Sequence, residues 1–347
     1  MTARAPSRPP AVTVLQSFPP PRGTTNPYLV QLVRSLPADV RTEYFSWRRA
    51  LTAQYDVLHL HWPEVLLRSP RPVKALARKA ATALLLVVLR ARRIAVVRTL
   101  HNPRPHEQPP PLDRAVLRGL DRATTRWIRL NPFTAAPDPE RTTTILHGHY
   151  REWYGATDTA PVRGRLLCFG LLRPYKGVES LLAAFASVDD PSLCLRIVGS
   201  PTTAGLREAV LAAASGDRRI AARLEYVDDA TLREEVAAAE LVVLPYRELH
   251  NSGAALLALS LDRPVLLPAS EPASALAEEV GPGWVHVYEG ELTGEALRAA
   301  LARARAADRD GRPDLSRREW AEAGARHRDV YLAARDDVQR RRRSRRD

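Results

Sequence analysis

Short apolar runs, rich in β-branched residues, each stop at a turn former or a histidine and give way to a helix-spaced segment. This alternation constrains the chain more than any other feature. Ala11-Val-Thr-Val-Leu-Gln-Ser, Tyr55-Asp-Val-Leu-His-Leu-His and Ile94-Ala-Val-Val-Arg-Thr-Leu are such runs in the first half. Arg165-Leu-Leu-Cys-Phe-Gly, Leu193-Cys-Leu-Arg-Ile-Val-Gly, Ala221-Ala-Arg-Leu-Glu-Tyr-Val, Leu241-Val-Val-Leu-Pro and Pro264-Val-Leu-Leu repeat the pattern in the second. Between them, residues 28–36, 72–93, 204–214, 231–239, 253–260, 295–306 and 317–336 carry helical spacing. Strands alternating with helices predict an α/β fold of parallel sheets covered on both faces. A chain of 347 residues suits two such domains. The stretch from Tyr154 to Gly164, full of small residues and turn formers, marks the break. The expected layout is a disordered segment 1–10, an N-terminal Rossmann-like domain 11–158, a C-terminal one 159–316, a closing helix 317–338 and a basic tail 339–347. The two doubly wound domains are expected to face each other across a cleft.

Charge is distributed unevenly. Residues 1–160 carry a balance of +13, residues 161–339 one of −5, and the last eight +5. A uniformly basic surface is therefore excluded, and only the first half and the tail ask for an acidic partner. Aromatic content is 6%, and no recognised nucleic-acid module is visible, so no nucleic acid is expected as a partner. The two cysteines, Cys168 and Cys194, sit in apolar runs and read as buried thiols rather than a disulfide framework. No stretch approaches the roughly 20 apolar residues of a membrane span. MTARAPSRPP has no apolar signal core, which favours a cytoplasmic protein.

Two loops could carry chemistry. Phe169-Gly170-Leu171-Leu172-Arg173-Pro174-Tyr175-Lys176-Gly177 joins a strand to a helix. Arg173 offers a planar fork and Lys176 a point charge, both suited to a diphosphate, and the following helix start adds N–H donors. An ordinary βα loop is the competing reading. Pro245-Tyr-Arg-Glu-Leu-His-Asn-Ser-Gly253 precedes a second helix start, where Ser252 and Gly253 could hold a phosphate or simply cap the helix.

FGLLRPYKG, LRIVG, LEYVDDATLREEVAAAELVVLPYR and NSGAALLALSLDRPVLLP, in that order over residues 165–268, resemble the donor-binding domain of GT-B glycosyltransferases of the GT4-like group. The resemblance implies that Arg173 and Lys176 hold the diphosphate of a GDP- or UDP-linked sugar. It places Ser252 and Gly253 at the distal phosphate. Tyr226, Val227, Arg247, Glu248 and Asn251 then lie near the nucleoside and sugar. Many GT4-like enzymes carry two glutamates seven residues apart, the second on the ribose. Here Leu257 stands close to that second position, a departure that leaves the retaining mechanism open. The Tyr-Arg…Ser-Gly form is more similar to a divergent branch that includes bacterial β-mannosyltransferases acting on lipid-linked oligosaccharides.

In the first half, Gly23, Thr24 and Asn26 occupy the loop after the first strand, which faces the cleft in GT-B enzymes. His59, His61, Trp62 and Glu64 follow the next strand, and His101, His106 and Glu107 a later one. His147 and His149 close the domain. Five of the nine histidines, His59, His61, His101, His147 and His149, thus fall at strand ends, a clustering that points to function. By resemblance His101 faces the donor sugar. Glu64 and Glu107 are the candidate bases, with His59, His61, Trp62 and His106 near the acceptor. His59 and His61 could chelate zinc, but no third ligand has telling spacing, and the family stabilises its leaving group with Arg, Lys and helix dipoles; no metal or cofactor is expected.

From Val65 to His106 the chain has no acid and ten basic residues. Within residues 68–93, Val73, Leu76, Ala80, Leu84, Val87 and Val88 follow helical spacing. That is a basic amphipathic helix able to lie on an anionic leaflet, or else a core-packing helix with a solvated basic side. The expected activity is sugar transfer from a nucleotide-diphosphate sugar to a lipid-linked or glycan acceptor by a peripheral enzyme of the inner leaflet. A catalytically inactive GT-B-like binding or scaffold protein is the alternative.

Overall fold

The computed structural model describes residues 10–101, 110–247, 253–309 and 311–343. The chain forms two compact units, 1–148 with 318–347, and 149–317. The division falls at Gly148/His149, ten residues ahead of the expected boundary at 158/159. Each unit is a six-stranded, wholly parallel sheet with helices.

The first unit is built from β1 (Val12–Gln16), α1 (Pro27–Ser35), β2 (Val40–Tyr44), α2 (Trp47–Thr52), β3 (Val57–Leu60), α3 (Pro72–Arg92), β4 (Ala95–Leu100), α4 (Pro111–Ala123), β5 (Arg126–Arg129) and β6 (Thr142–Thr144). Its sheet order is β2-β1-β3-β4-β5-β6. The second unit contains α5 (Arg151–Tyr154), β7 (Arg165–Phe169), α6 (Val178–Ala186), β8 (Cys194–Val198), α7 (Ala204–Gly216), β9 (Ile220–Arg223), α8 (Asp229–Ala237), β10 (Leu241–Val243), α9 (Gly253–Ser260), β11 (Val265–Pro268), α10 (Glu271–Val280), β12 (Val285–Tyr288) and α11 (Gly294–Ala306). Its order is β12-β11-β10-β7-β8-β9. The last helix, α12 (Trp320–Arg343), returns to the first unit.

Alternation along each strand feeds two cores per sheet. Leu166 and Cys168 of β7 join Leu195 and Ile197 of β8 on one face. Leu167 and Phe169 join Val198, Val242 and Leu267 on the other. Each fully buried Leu or Val contributes about 1.5–3 kcal/mol. Helix starts are capped by the expected residue types. Asn26 Oδ1 accepts from Tyr28 N–H at 2.9 Å, and Ser46, Thr203, Asp228, Ser270 and Thr293 cap α2, α7, α8, α10 and α11.

Several readings need correction. The strand Ala221–Val227 is shorter, ending at Arg223, so Tyr226 and Val227 lie in the loop ahead of α8. Cys168 is buried, but Cys194, the first residue of β8, is only half-buried. The basic tail is helical through Arg343, because arginine is a good helix former and Arg340 pairs with Asp337 three residues before it. The segment 1–9 lies outside the described residues. Among the described residues no helix is long and apolar enough to cross a membrane.

Candidate functional site

Open parallel sheets bind ligands outside the carboxyl ends of their strands, where the strand order reverses. In the second unit that point lies between β7 and β10. The two loops singled out from the sequence leave these two strands. After β7, Gly170 (φ 100°) turns the chain, Pro174–Lys176 forms one 3₁₀ turn, and Gly177 (φ 65°) opens α6. Only glycine fits at 177, because a Cβ would strike the Pro245 carbonyl beyond β10. Likewise a Cβ on Gly199 (φ 137°), past β8, would strike the Gly170 carbonyl. Arg247 N–H donates to the Tyr175 carbonyl at 2.9 Å. The loops after β7, β8 and β10 are therefore packed backbone to backbone.

Lys176 Nζ sits 5.3 Å from the centre of the Tyr246 ring, beside Gly170. Burial pulls its pKa below the ordinary lysine value. The same burial pushes the nearby Cys168 thiol up to about 11, so it stays protonated at neutral pH. Among the described residues no carboxylate pairs with Arg173 or Lys176. Elsewhere in this unit arginines are paired, as in Arg196–Glu235 at 2.8 Å and Arg305–Glu240 at 2.8 Å. Two cations that pair with no carboxylate among the described residues, beside the N-terminus of α6, suit an anion. Gly253 begins α9, Arg247 is exposed, and Val227 packs partly against the core. Tyr226 is 64% exposed, which leaves its ring face available for stacking. Glu248, Asn251 and Ser252 lie outside the described residues, as do His106 and Glu107.

In the first unit the strand order reverses between β1 and β3. There the structure gathers histidines. His59 of β3 lies opposite Gln16 of β1 on one side and Val97 of β4 on the other. His59 Nε2 is 2.8 Å from the Thr99 hydroxyl, and its Nδ1 is 2.8 Å from the Tyr331 hydroxyl of α12. His61 Nδ1 is 3.1 Å from His101 Nε2, and His61 Nε2 is 3.2 Å from Gln16 Oε1. Trp62 lies flat on His101, with ring centres 3.9 Å apart and planes 20° from parallel. Tyr28 meets His101 edge-on at 5.1 Å and also touches His147 and Trp320. Gly148 makes room for this, since a Cβ there would strike the Trp320 ring.

Burial keeps these imidazoles neutral. It pulls His61 down to about 3 and His147 and His327 to about 4, and it pulls His59 and His101 well below the usual value. Neighbouring rings reinforce the effect, because two charged imidazoles would repel. The cluster therefore works by hydrogen bonding and shape, not by positive charge. Among the described residues no three His, Cys, Asp or Glu side chains converge to hold a metal.

His59, His61, Trp62 and His101 are thus brought together. His149 is not, because it belongs to the second unit, where its Nδ1 accepts from Arg151 N–H at 3.3 Å. Gly23 and Thr24 are exposed, and the Asn26 side chain is engaged in capping α1. Glu64 lies in the 3₁₀ turn Pro63–Leu66 just past Trp62, where its charge supports the half-buried Arg98 guanidinium. Sequence reasoning missed Gln16, Tyr28, Thr99, His327 and Tyr331. His327 and Tyr331 stand four apart on one helix face, a spacing visible in the sequence, within the segment read as a separate closing helix.

Comparison with known proteins follows this geometry. The family described as "Glycosyl transferases group 1" matches residues 163–304. A GDP-mannose:glycolipid 4-beta-D-mannosyltransferase of Xanthomonas campestris pv. campestris is 53% identical over 326 residues, covering 94% of this chain and 93% of that protein. A second protein of that description and pathovar is 52% identical over the same shares. Among solved structures, Anabaena Alr3699/HepE in complex with UDP and glucose superposes with a TM-score of 0.59 at 15% identity, covering 96% of this chain and 100% of that one. WaaG, a glycosyltransferase involved in lipopolysaccharide biosynthesis, gives 0.55 at 15% identity, covering 94% and 98%. At such identities the structures speak for the fold, and the Xanthomonas relatives for the family. The chain belongs to the group 1 glycosyltransferases and is a glycosyltransferase of GT-B fold.

Proposed function

We propose that the chain transfers mannose from GDP-mannose to the sugar of a glycolipid. The observation that carries this reading is the 53% identity, over nearly the whole of both chains, to a GDP-mannose:glycolipid 4-beta-D-mannosyltransferase. The domain of residues 159–316 binds the donor. Arg173 and Lys176 hold the diphosphate, assisted by the amides at the start of α6 and by Ser252 and Gly253 at α9. As the bond to the sugar breaks, these cations and helix ends stabilise the charge growing on the leaving diphosphate, without a metal. Tyr226 and Val227 border the guanine, with Arg247, Glu248 and Asn251 toward the sugar.

The domain of residues 11–158 receives the acceptor. His101 faces the transferred sugar. Glu64 or Glu107 takes the proton of the attacking hydroxyl, and His59, His61, Trp62 and His106 shape the acceptor side, with Gly23, Thr24 and Asn26 at its edge. Helix α3 rests on the anionic inner leaflet. Val73, Leu76, Leu84 and Val87 are 82, 62, 51 and 61% exposed along one side of α3, while Thr82, Leu85 and Leu89 pack inward. An exposed apolar stripe flanked by Lys74, Arg71 and Arg90 supports interfacial docking.

The test is a thermal-shift titration followed by an activity assay. GDP and GDP-mannose should raise the melting temperature, and Lys176→Ala should abolish that rise. Purified enzyme should then release GDP only when a glycolipid acceptor is present. A melting temperature unmoved by guanine nucleotides overturns the donor assignment.

A further inference from the structure

On the reading that His101 faces the transferred sugar, we propose that Gln16 and His61 are positioning residues that fix which ring nitrogen of His101 carries the proton. The order of contacts is Gln16 Oε1, His61 Nε2, His61 Nδ1, His101 Nε2, at 3.2 Å and 3.1 Å. An amide oxygen only accepts, so His61 Nε2 carries the hydrogen and donates. A neutral imidazole has one N–H, so His61 Nδ1 is its lone-pair nitrogen. His101 Nε2–H donates to that lone pair. His101 Nδ1 is then a lone-pair nitrogen, able to accept a hydrogen bond and unable to give one.

Four observations support this chain of contacts. Gln16 presents its amide oxygen, not its NH2, to His61 Nε2, and the buried NH2 has no hydrogen-bond partner among the described residues. The Tyr331 phenol is itself engaged with His59, and His59 with Thr99, so no other donor competes for the Gln16 oxygen through those groups. The rings cannot turn away: Trp62 covers one face of His101 and Tyr28 stands edge-on to it. Burial keeps both imidazoles uncharged, which is the condition for a single, directed proton on each. Turning the Gln16 amide over reverses every member, placing the proton on Nδ1 of both histidines. The two arrangements therefore differ at a site that can be observed directly.

The test is long-range proton–nitrogen NMR on the whole chain labelled with 15N-histidine, with His61→Gln and His101→Gln assigning the signals. The wild-type protein is expected to show both rings protonated at Nε2. A wild-type His101 protonated at Nδ1 overturns the proposal, and this measurement requires no variant to fold. Gln16→Met removes the acceptor at similar volume. It is expected to give mixed tautomers at His61 and His101 and to lower kcat at least about tenfold, with the KM for GDP-mannose within about threefold. Mixed tautomers with unchanged kcat, or lost activity with the wild-type tautomers, each overturn the positioning role. If His101→Gln leaves kcat intact, the functional reading of His101 fails instead, whatever the wild-type spectrum shows.

Discussion

The Tyr331 hydroxyl lies 2.8 Å from Nδ1 of His59, tying the last helix to a strand 272 residues earlier in the chain. Both groups are buried, so neither can turn to water instead. Tyr331→Phe leaves one nitrogen of His59 without a partner and should cost about 1–3 kcal/mol. Urea denaturation should show the loss. Hydrogen exchange should place it in the first unit, with β3 and β4 exchanging faster and β7–β12 unchanged. Wild-type stability in the Phe variant would mean that this hydrogen bond does not help hold α12.

Five buried neutral histidines make the first unit sensitive to acid. In the unfolded chain each titrates near 6.5, while in the folded chain burial holds each well below that. Between these values the unfolded state binds more protons, so stability is complete above about pH 7 and falls as the pH drops through 6.5. At pH 5 His61, His147 and His327 should each cost about 2 kcal/mol, and His59 and His101 act in the same direction. Calorimetry from pH 8 to pH 5 should show the first unit melting progressively earlier, with a smaller shift in the second, where burial lowers the pKa of His286. A first-unit melting temperature that is flat over this range sinks the argument.

How much of this was legible in the sequence follows from which residues advertise themselves. In the second unit β7 and β8 are apolar runs that end at Gly170 and Gly199, and the loop after β7 lies where the sequence reading put it. In the first unit, β5 is Arg126-Trp-Ile-Arg and β6 is Thr142-Thr-Thr. Such short strands, β6 at the sheet edge and β5 next to it, carry no periodic signal and are fixed only by pairing with β4 and with each other. The histidines were noticed because a strand end places polar groups at the sheet's functional edge. Their partners Gln16, Thr99 and Tyr331 were not, because a hydrogen bond across 40 or 272 residues leaves no local trace. The return of α12 to the first unit is a tertiary choice of the same kind. Its exposed residues resemble any surface helix, and only Trp320, Val330 and Tyr331 in the first-unit core disclose where it packs.

Gly177 is held by geometry rather than by chemistry. Its φ of 65° already costs about 1–2 kcal/mol for a residue with a side chain, and the Pro245 carbonyl fills the space a methyl would need. Gly177→Ala should therefore lower the stability of the second unit by at least about 2 kcal/mol. It should also push the Lys176 turn away from the β10 loop, weakening GDP binding. Glycine-like stability together with wild-type nucleotide affinity would show that the two loops are free to separate.

The apolar side of α3 offers the cleanest separation of docking from catalysis. Leu76, Leu84 and Val87 are more than half exposed, so charging them should change folding stability by no more than about 0.5 kcal/mol each. On an anionic membrane the same changes remove the buried apolar area and repel the headgroups. Flotation with vesicles of phosphatidylglycerol and phosphatidylcholine should carry the wild-type protein upward, and raising the salt should weaken this, since each nearby Lys or Arg contributes about 1 kcal/mol at the surface. The triple variant Leu76→Glu, Leu84→Glu, Val87→Glu should stay at the bottom of the gradient. It should still bind GDP as the wild-type protein does, because the Arg173–Lys176 loop belongs to the other unit. Equal flotation of the two proteins would mean that the stripe faces something other than lipid.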